Sequence, residues 1–183
     1  MIIKNKIKNK KIKSQIEVDQ NVVNFLGDQK IITTDDLVSL KNKILHSLEF
    51  RPYNEKTKKH EHSMRWKRTA SEIINDGYVY SGKACSDLAV VYLALCKAVG
   101  INGRLVKLVS MDKYNTHSIV EVKLKDRWYR IDPSSRDSIP FLGALNSKSI
   151  WNKKYKVWKK GRDVWDLGLD GIDAGDKFLN KLK

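Results

Sequence analysis

The sequence predicts an α+β fold in which helices come first and an antiparallel sheet follows. Segments with a helical spacing of apolar residues lie before residue 100, and segments rich in β-branched and aromatic residues lie after it. The chain has 183 residues, 41% of them hydrophobic, which is enough for one domain with a buried core. We therefore expect a single domain over residues 1–183, with a core at about 35–140, a basic N-terminal arm at 1–30 and a Trp-rich C-terminal extension at 141–183.

The first third of the chain predicts two helices. Apolar residues show no sustained period over residues 1–30, which predicts a loosely attached arm or short strands around QIEV and VVNFL. A helix of about four turns is expected next, because acidic residues and threonine precede an apolar stripe made of Leu37, Leu40, Ile44 and Leu48. RPYNEKTKKHEHS is polar and predicts a loop. MRWKRTASEIINDG predicts a second helix that ends at Gly77.

The third predicted helix covers residues 85–99 and carries both cysteines. Its broad apolar face indicates burial, and Gly100 follows where a left-handed residue commonly ends a helix. Cys96 lies in phase with that face, so we interpret it as a core thiol. Cys85 begins the helix, about 16 Å from Cys96 along the axis, which is too far for a disulfide. The absence of a disulfide framework agrees with a reducing compartment.

Three strands are predicted at residues 103–110, 117–124 and 127–131. A two-residue turn at positions 125 and 126 would place Glu121 opposite Arg130 as a cross-strand ion pair. In that register His117 and Asp132 are diagonal neighbours on one face of the hairpin. The other face would join the core through Val120, Val122, Leu124, Tyr129 and Ile131. The Trp-rich extension is expected to pack over the sheet or the helices.

These positions allow a nucleophilic site. A cysteine at a helix N-terminus beside an imidazolium ionises more readily than a free thiol. His117 would supply that cation if the helix packs against the end of the sheet, and Asp132 would orient the imidazole. The alternative from spacing alone is that the three residues are unrelated, since lone Cys, His and Asp residues are common.

Three motifs, in this order over residues 77–135, carry a family resemblance. GKACSDLAVVYLALCKAVGINGRLV resembles the core of the transglutaminase-like superfamily, NTHSIVEVKL its histidine strand and RWYRIDPS its aspartate strand. The resemblance is to core domains of bacterial and archaeal type. It implies a papain-like α+β fold in which the helix of the nucleophile packs on an antiparallel sheet. It also implies Cys85 as nucleophile, His117 as general base and acid, and Asp132 as the residue that orients His117.

The activity implied by the resemblance is acyl transfer from an amide through a thioester, with no cofactor and no metal. We favour a hydrolase acting on a protein, a peptide or a cell-wall peptide, because no calcium-binding loop or accessory domain is evident in a chain of this length. A protein transglutaminase or a deamidase is the first alternative. His60, Glu61 and His62 are interpreted as solvated residues of a Lys-rich loop, without a metal.

The formal net charge of +15, with basic runs at residues 4–13, 56–68 and 148–162, suits an acidic partner. Two alternatives to an enzyme therefore remain, a nucleic-acid-binding module that uses the basic surface and a non-catalytic binding module. No nucleic-acid-binding motif accompanies the lysines. No apolar signal-peptide core follows the basic N-terminus, and no segment is apolar enough to span a membrane. We therefore expect a cytoplasmic protein.

Overall fold

The computed structural model describes residues 14–112 and 115–182, and within them six helices and eight strands. The helices are α1 (Gln20–Leu26), α2 (Thr34–Ser47), α3 (Glu55–Met64), α4 (Ala70–Asp76), α5 (Cys85–Ala98) and α6 (Ile172–Leu182). The strands are β1 (Glu49–Arg51), β2 (Tyr78–Tyr80), β3 (Gly103–Ser110), β4 (Thr116–Leu124), β5 (Arg127–Ile131), β6 (Phe141–Leu142), β7 (Ile150–Trp151) and β8 (Tyr155–Gly161).

Helix α5 lies at the centre of the fold. Every residue from Leu88 to Cys96 is buried, as expected for a helix that is apolar on all sides. It packs against β3 and β4 on one side and against α1, α2 and α4 on the other. This central position fixes the start of α5, and therefore Cys85, relative to the sheet.

The larger sheet is antiparallel, with strand order β6-β5-β4-β3-β8-β7. Its face toward α5 contributes Leu105, Val120 and Val122 to the main core. The opposite face is also covered, by a smaller cluster made of Val106, Leu108, Ile119, Leu145 and Trp151. Because both faces of β3 and β4 are buried, their sequences contain few exposed polar positions.

The predicted α+β class is confirmed, with α5 packed on an antiparallel sheet. The α5 helix and the strands at 103–110, 117–124 and 127–131 lie where the sequence predicts them, to within a residue at each end. Cys96 is fully buried, as its phase predicts. The basic run at residues 4–13 lies outside the described residues.

Three predictions of local structure are wrong. VVNFL belongs to helix α1, not to a strand, because Val22 and Leu26 bury one helical face under the cap provided by Asp19. The segment from residue 14 onward is not loosely attached, since Gln15 is buried and its Nε2 donates to the carbonyl of Arg68 at 2.8 Å.

The segment predicted as a polar loop contains helix α3. A reciprocal capping box between Asn54 and Thr57 stabilises the start of this helix. The second predicted helix is shorter than expected, because residues 65–67 form a turn and α4 starts only after the cap residue Thr69.

The C-terminal extension enters the sheet instead of only packing over it. Strand β8 pairs with β3 along its length, and Phe178 of α6 lies against Trp158 of β8, with ring centroids 3.8 Å apart and the rings tilted by 36°. Among the described residues, no helix combines the length and the apolar character needed to cross a bilayer.

Candidate active site

The β4–β5 hairpin brings His117 and Asp132 together. Its turn residues Lys125 and Asp126 have φ values of 47° and 64°, as a two-residue type I′ turn requires. The register pairs Glu121 with Arg130, as the sequence predicts. His117 at the start of β4 and Asp132 just after β5 then meet, with Nε2 and Oδ2 2.6 Å apart.

A short loop holds Asp132 in place. Its carboxylate accepts from the backbone N–H of Ser134 at 2.9 Å and from the Ser134 hydroxyl at 2.7 Å. Its own N–H donates to Ser138 Oγ at 3.0 Å. Lys41, buried in α2, donates to the backbone carbonyls of Arg136 and Ser138. Burial alone raises the pKa of the Asp132 carboxyl, but the bonds from His117 and Ser134 hold it below its usual value, so the group is ionised.

Cys85 is the first residue of α5 and is partly exposed. The preceding residue, Ala84, caps the helix without a side-chain hydrogen bond. Burial alone raises the pKa of the Cys85 thiol. The hydrogen bond and charge of His117, the charge of Lys107 and a bond from the Ser118 backbone outweigh burial and lower that pKa to about 6. The thiolate is therefore the dominant form near neutral pH.

His117 connects the cysteine and the carboxylate. Burial alone lowers the pKa of His117, but its bonds to Asp132 and Cys85 and the negative charges of both raise it to about 10. Since Nε2 donates to Asp132, Nδ1 is the ring nitrogen left for the sulfur. The ring of Tyr155 in β8 lies against the imidazole, with centroids 5.5 Å apart. The two shifts favour the charged forms of both Cys85 and His117.

A layer of polar groups lies beside Cys85, between α5 and the sheet. Lys107 in β3 donates from Nζ to Ser86 Oγ at 3.2 Å and to Ser118 Oγ at 3.1 Å. The two hydroxyl oxygens are 2.9 Å apart. Trp66 Nε1 also donates to Ser86 Oγ, at 3.1 Å. All four of these side chains are buried.

Cys85, His117 and Lys107 line a cavity of about 510 Å³. Its lining includes two exposed lysines, Lys83 and Lys154, and among the described lining residues Asp176 of α6 is the acidic one. The C-terminal extension therefore forms part of the wall. A cavity of this volume accommodates several side chains of an extended substrate.

Two sequence predictions about this region need correction. Glu121 is the Cα partner of Arg130, but the two side chains do not form the predicted ion pair. The Glu121 carboxylate is instead fully buried and accepts from Arg104 at 2.7 Å, from Lys160 at 2.8 Å and from the backbone N–H of Leu145 at 2.6 Å. Arg130 turns outward and donates to the carbonyls of residues 142 and 143.

The His60-Glu61-His62 motif lies on helix α3, not in a solvated loop. His60 Nδ1 lies 2.7 Å from the Tyr80 hydroxyl, and His62 Nε2 lies 3.1 Å from the Tyr53 hydroxyl. The buried Glu61 carboxylate binds Arg65 through both oxygens. Across residues 14–112 and 115–182, no group of His, Cys, Asp and Glu side chains is arranged to hold a metal ion.

Sequence reasoning missed three side chains of the site: Lys107, Trp66 and Tyr155. A lysine in the middle of the apolar strand GRLVKLVS is a signal that was available, because lysine is rarely placed at a buried position. The other two are aromatic residues far from the motifs in sequence, and no local pattern distinguishes them from packing residues.

The comparisons with known proteins agree with the motifs. The family model for the transglutaminase-like superfamily matches residues 21–133, a range that includes Cys85, His117 and Asp132. No curated protein matches the sequence.

Similar solved structures include a protein of Cytophaga hutchinsonii named "Putative Cysteine Protease", which is 17% identical with a TM-score of 0.41 over 82% of this chain and 50% of that one. LapG of Legionella pneumophila is 16% identical with a TM-score of 0.46, over 89% of this chain and 83% of that one. The EGTA-treated form of LapG is 16% identical with a TM-score of 0.48, over 87% of this chain and 85% of that one. This chain thus spans half the length of the Cytophaga protein.

Proposed function

Since the chain belongs to the transglutaminase-like superfamily, we propose that it is a cysteine-dependent enzyme that hydrolyses an amide bond through a thioester on Cys85. The observation that carries the proposal is the contact of the Cys85 thiol with a His117 imidazole whose other nitrogen is bound to Asp132. Acyl transfer by a thiol needs a nucleophile in contact with a base, and a carboxylate that orients the base.

In the first half-reaction the Cys85 thiolate attacks the carbonyl carbon, a C–S bond forms, and the C=O electron pair moves to oxygen. Backbone N–H groups at the start of α5, where no side chain caps the helix, support the resulting oxyanion. The tetrahedral species then collapses and the C–N bond breaks. His117 gives its Nδ1 proton to the departing amine, and the amine leaves as a neutral product.

In the second half-reaction neutral His117 takes a proton from water, and the hydroxide equivalent attacks the thioester carbonyl. The C–S bond breaks, the acid is released, and the thiolate and the imidazolium are restored. Asp132 keeps Nε2–H occupied throughout, so that Nδ1 alone exchanges protons. Transfer to an amine, as in a transglutaminase, or attack on a glutamine side chain, as in a deamidase, uses the same steps with a different acceptor or amide.

We propose a protein or peptide substrate with acidic residues near the cleaved bond. The support is the charge of the cavity, where Lys83 and Lys154 are exposed and Asp176 is the acidic residue of the described lining. Exposed charges of this kind act over about 8 Å at physiological ionic strength, so they favour acidic segments without fixing one sequence. Acidic peptides of a cell wall satisfy the same description.

The test is to incubate the protein with a peptide library that spans net charges of both signs and to analyse Cys85 by mass spectrometry. We expect acyl adducts on Cys85, enriched in acidic peptides, and release of the acid with one oxygen from labelled water. Cys85→Ala should remove all turnover. Incorporation of an added primary amine in place of water would convert the assignment to a transglutaminase. Turnover that persists in Cys85→Ala would refute the proposal.

A further inference from the structure

Lys107 is a buried lysine in the middle of β3, only 1% exposed. Its Nζ donates to two serine hydroxyls, Ser86 Oγ and Ser118 Oγ, and lies 4.7 Å from the centroid of the Trp66 ring. Burying an ammonium group is unfavourable unless an opposite charge compensates it. The position therefore requires an explanation that packing does not give.

No carboxylate provides that compensation. Among the ion pairs within residues 14–112 and 115–182, none includes Lys107. The charged groups that act on it are the Cys85 thiolate and Arg65 of the turn after α3, whose own charge is paired with Glu61. His117 of β4, next to Ser118, also lines this region, as do Lys83, Lys154, Tyr155 and Asp176. Cys85 is therefore the anionic group that acts on Lys107, and the same thiolate has His117 as its other cationic neighbour.

The hydrogen bonds of the two serines connect Lys107 to both reacting residues. Ser86 follows Cys85 in α5, and Ser118 follows His117 in β4. Ser86 Oγ accepts from Trp66 Nε1 and from Lys107, which leaves its own proton to donate to Ser118 Oγ. Both hydroxyl oxygens can therefore accept from the Lys107 ammonium, so the network accommodates the lysine in its charged form.

Building on the proposed function, we propose that Lys107 is the buried counter-charge of the Cys85 thiolate, held beside it by Ser86 and Ser118. His117 is a cation only in part of the cycle, because it gives its proton to the leaving amine. Lys107 keeps its charge at that stage. It then stabilises the sulfur when the C–S bond of the thioester breaks and the thiolate leaves.

The pKa of Lys107 fits this role. Burial lowers it to about 8, although the charge of Cys85 opposes that shift, so the ammonium form is the larger population at neutral pH. Because the pKa of Lys107 is lower in the folded chain than in the unfolded chain, this lysine lowers the stability of the fold at pH values below its unfolded pKa. Replacing a buried charge by an apolar side chain of similar size is commonly neutral or stabilising.

The experiment is the pH dependence of Cys85 alkylation by iodoacetamide, read peptide by peptide with mass spectrometry, in wild type, Lys107→Met and Lys159→Met. Lys159 is the cross-strand partner of Lys107 on β8 but is exposed, so its replacement removes the same charge without touching the site. Lys107→Met should raise the apparent pKa of Cys85 by about one to two pH units. Lys159→Met should leave it in place, and Lys107→Met should melt no lower than wild type. A lower melting temperature with an unchanged Cys85 pKa would assign Lys107 a structural role and overturn the proposal.

Repeating the comparison in a His117→Ala background separates a direct effect on the sulfur from one transmitted through Ser118 and His117. A Lys107→Met shift that persists without the imidazole supports direct stabilisation, and a shift that disappears overturns it. The wild-type titration keeps the two proposals apart. An ordinary thiol pKa for Cys85 in wild type would contradict the proposed function, whereas a low pKa insensitive to Lys107→Met would contradict only the role of Lys107.

Discussion

Replacing Gly175 by alanine tests whether the C-terminal helix α6 forms a wall of the site. A Cβ at this position would lie 2.3 Å from Cζ3 and 2.6 Å from Cη2 of Trp66, whereas ordinary contact begins at 3.4 Å. The Trp66 ring is fixed, since Nε1 donates to Ser86 and the Trp66 backbone carbonyl accepts from Trp165 Nε1 at 2.7 Å. The helix must therefore move away by about 1 Å.

Two effects of Gly175→Ala oppose each other. Alanine in a helix interior is favoured over glycine by about 0.5–1 kcal/mol. Forcing a methyl group against a fixed ring costs about 1–3 kcal/mol. We expect a net loss of about 0.5–2 kcal/mol in the free energy of unfolding, opposite in sign to the helix propensity.

The assay is chemical denaturation, combined with the rate at which iodoacetamide labels Cys85. Displacing α6 should speed labelling, because Gly175 and Asp176 line the cavity around the sulfur. Gly171→Ala is the control just before α6, where a Cβ would meet only the flexible end of Lys67, at 3.2 Å. If Gly175→Ala stabilises the protein, or behaves like Gly171→Ala in both measurements, α6 does not pack on Trp66 as described.

Three further predictions concern the core, the sheet and pH. Cys96→Ser should lower the free energy of unfolding by about 1–3 kcal/mol through a buried hydroxyl without changing kcat, so lost activity at full stability would contradict its structural role. Glu121→Gln should lower the free energy of unfolding by about 2–4 kcal/mol in chemical denaturation, because it leaves two cations without their buried partner. Arg130→Met should lower it by about 1 kcal/mol or less. Equal losses for the two variants would contradict the observed pairing. The plot of kcat/KM against pH should fall below about 6, where Cys85 takes up a proton, and above about 10, where His117 loses one; a profile flat through pH 6 would exclude the ion pair.

The part of the site that could be predicted is the part set by local rules. Alternation of side chains and a two-residue turn fix the β4–β5 register, and this register places His117 beside Asp132. The place of Cys85 at the start of α5 follows from where the apolar helical segment begins. Each of these inferences uses residues that are neighbours along the chain or across one hairpin.

The errors arise where distant contacts decide the structure. Val22 and Val23 have β-branched side chains, typical of a strand, yet packing of α1 against α4 and α5 makes them helical. Helix α3 has no apolar stripe, so its start is set by a capping box that periodicity does not detect. Lys107 was missed because both faces of β3 are buried, and alternation then gives no sign of which residue faces Cys85.

The pairing of β8 with β3 could not be predicted either, because some 45 residues of chain separate the two strands and no local signal links them. This pairing places Tyr155 against His117 and leads α6 to the cavity. The C-terminal extension therefore contributes to the site through contacts that only the three-dimensional structure reveals.

The central claim is that Cys85 is a thiolate held by His117, and the pH dependence of its alkylation tests this most directly. With iodoacetamide in wild type, Cys85 should react with a midpoint near its pKa of about 6 and Cys96 should remain unlabelled in the folded protein. His117→Ala should move the Cys85 midpoint toward the ordinary thiol value of about 8.5. A wild-type midpoint already near that value, unchanged by His117→Ala, would contradict the account.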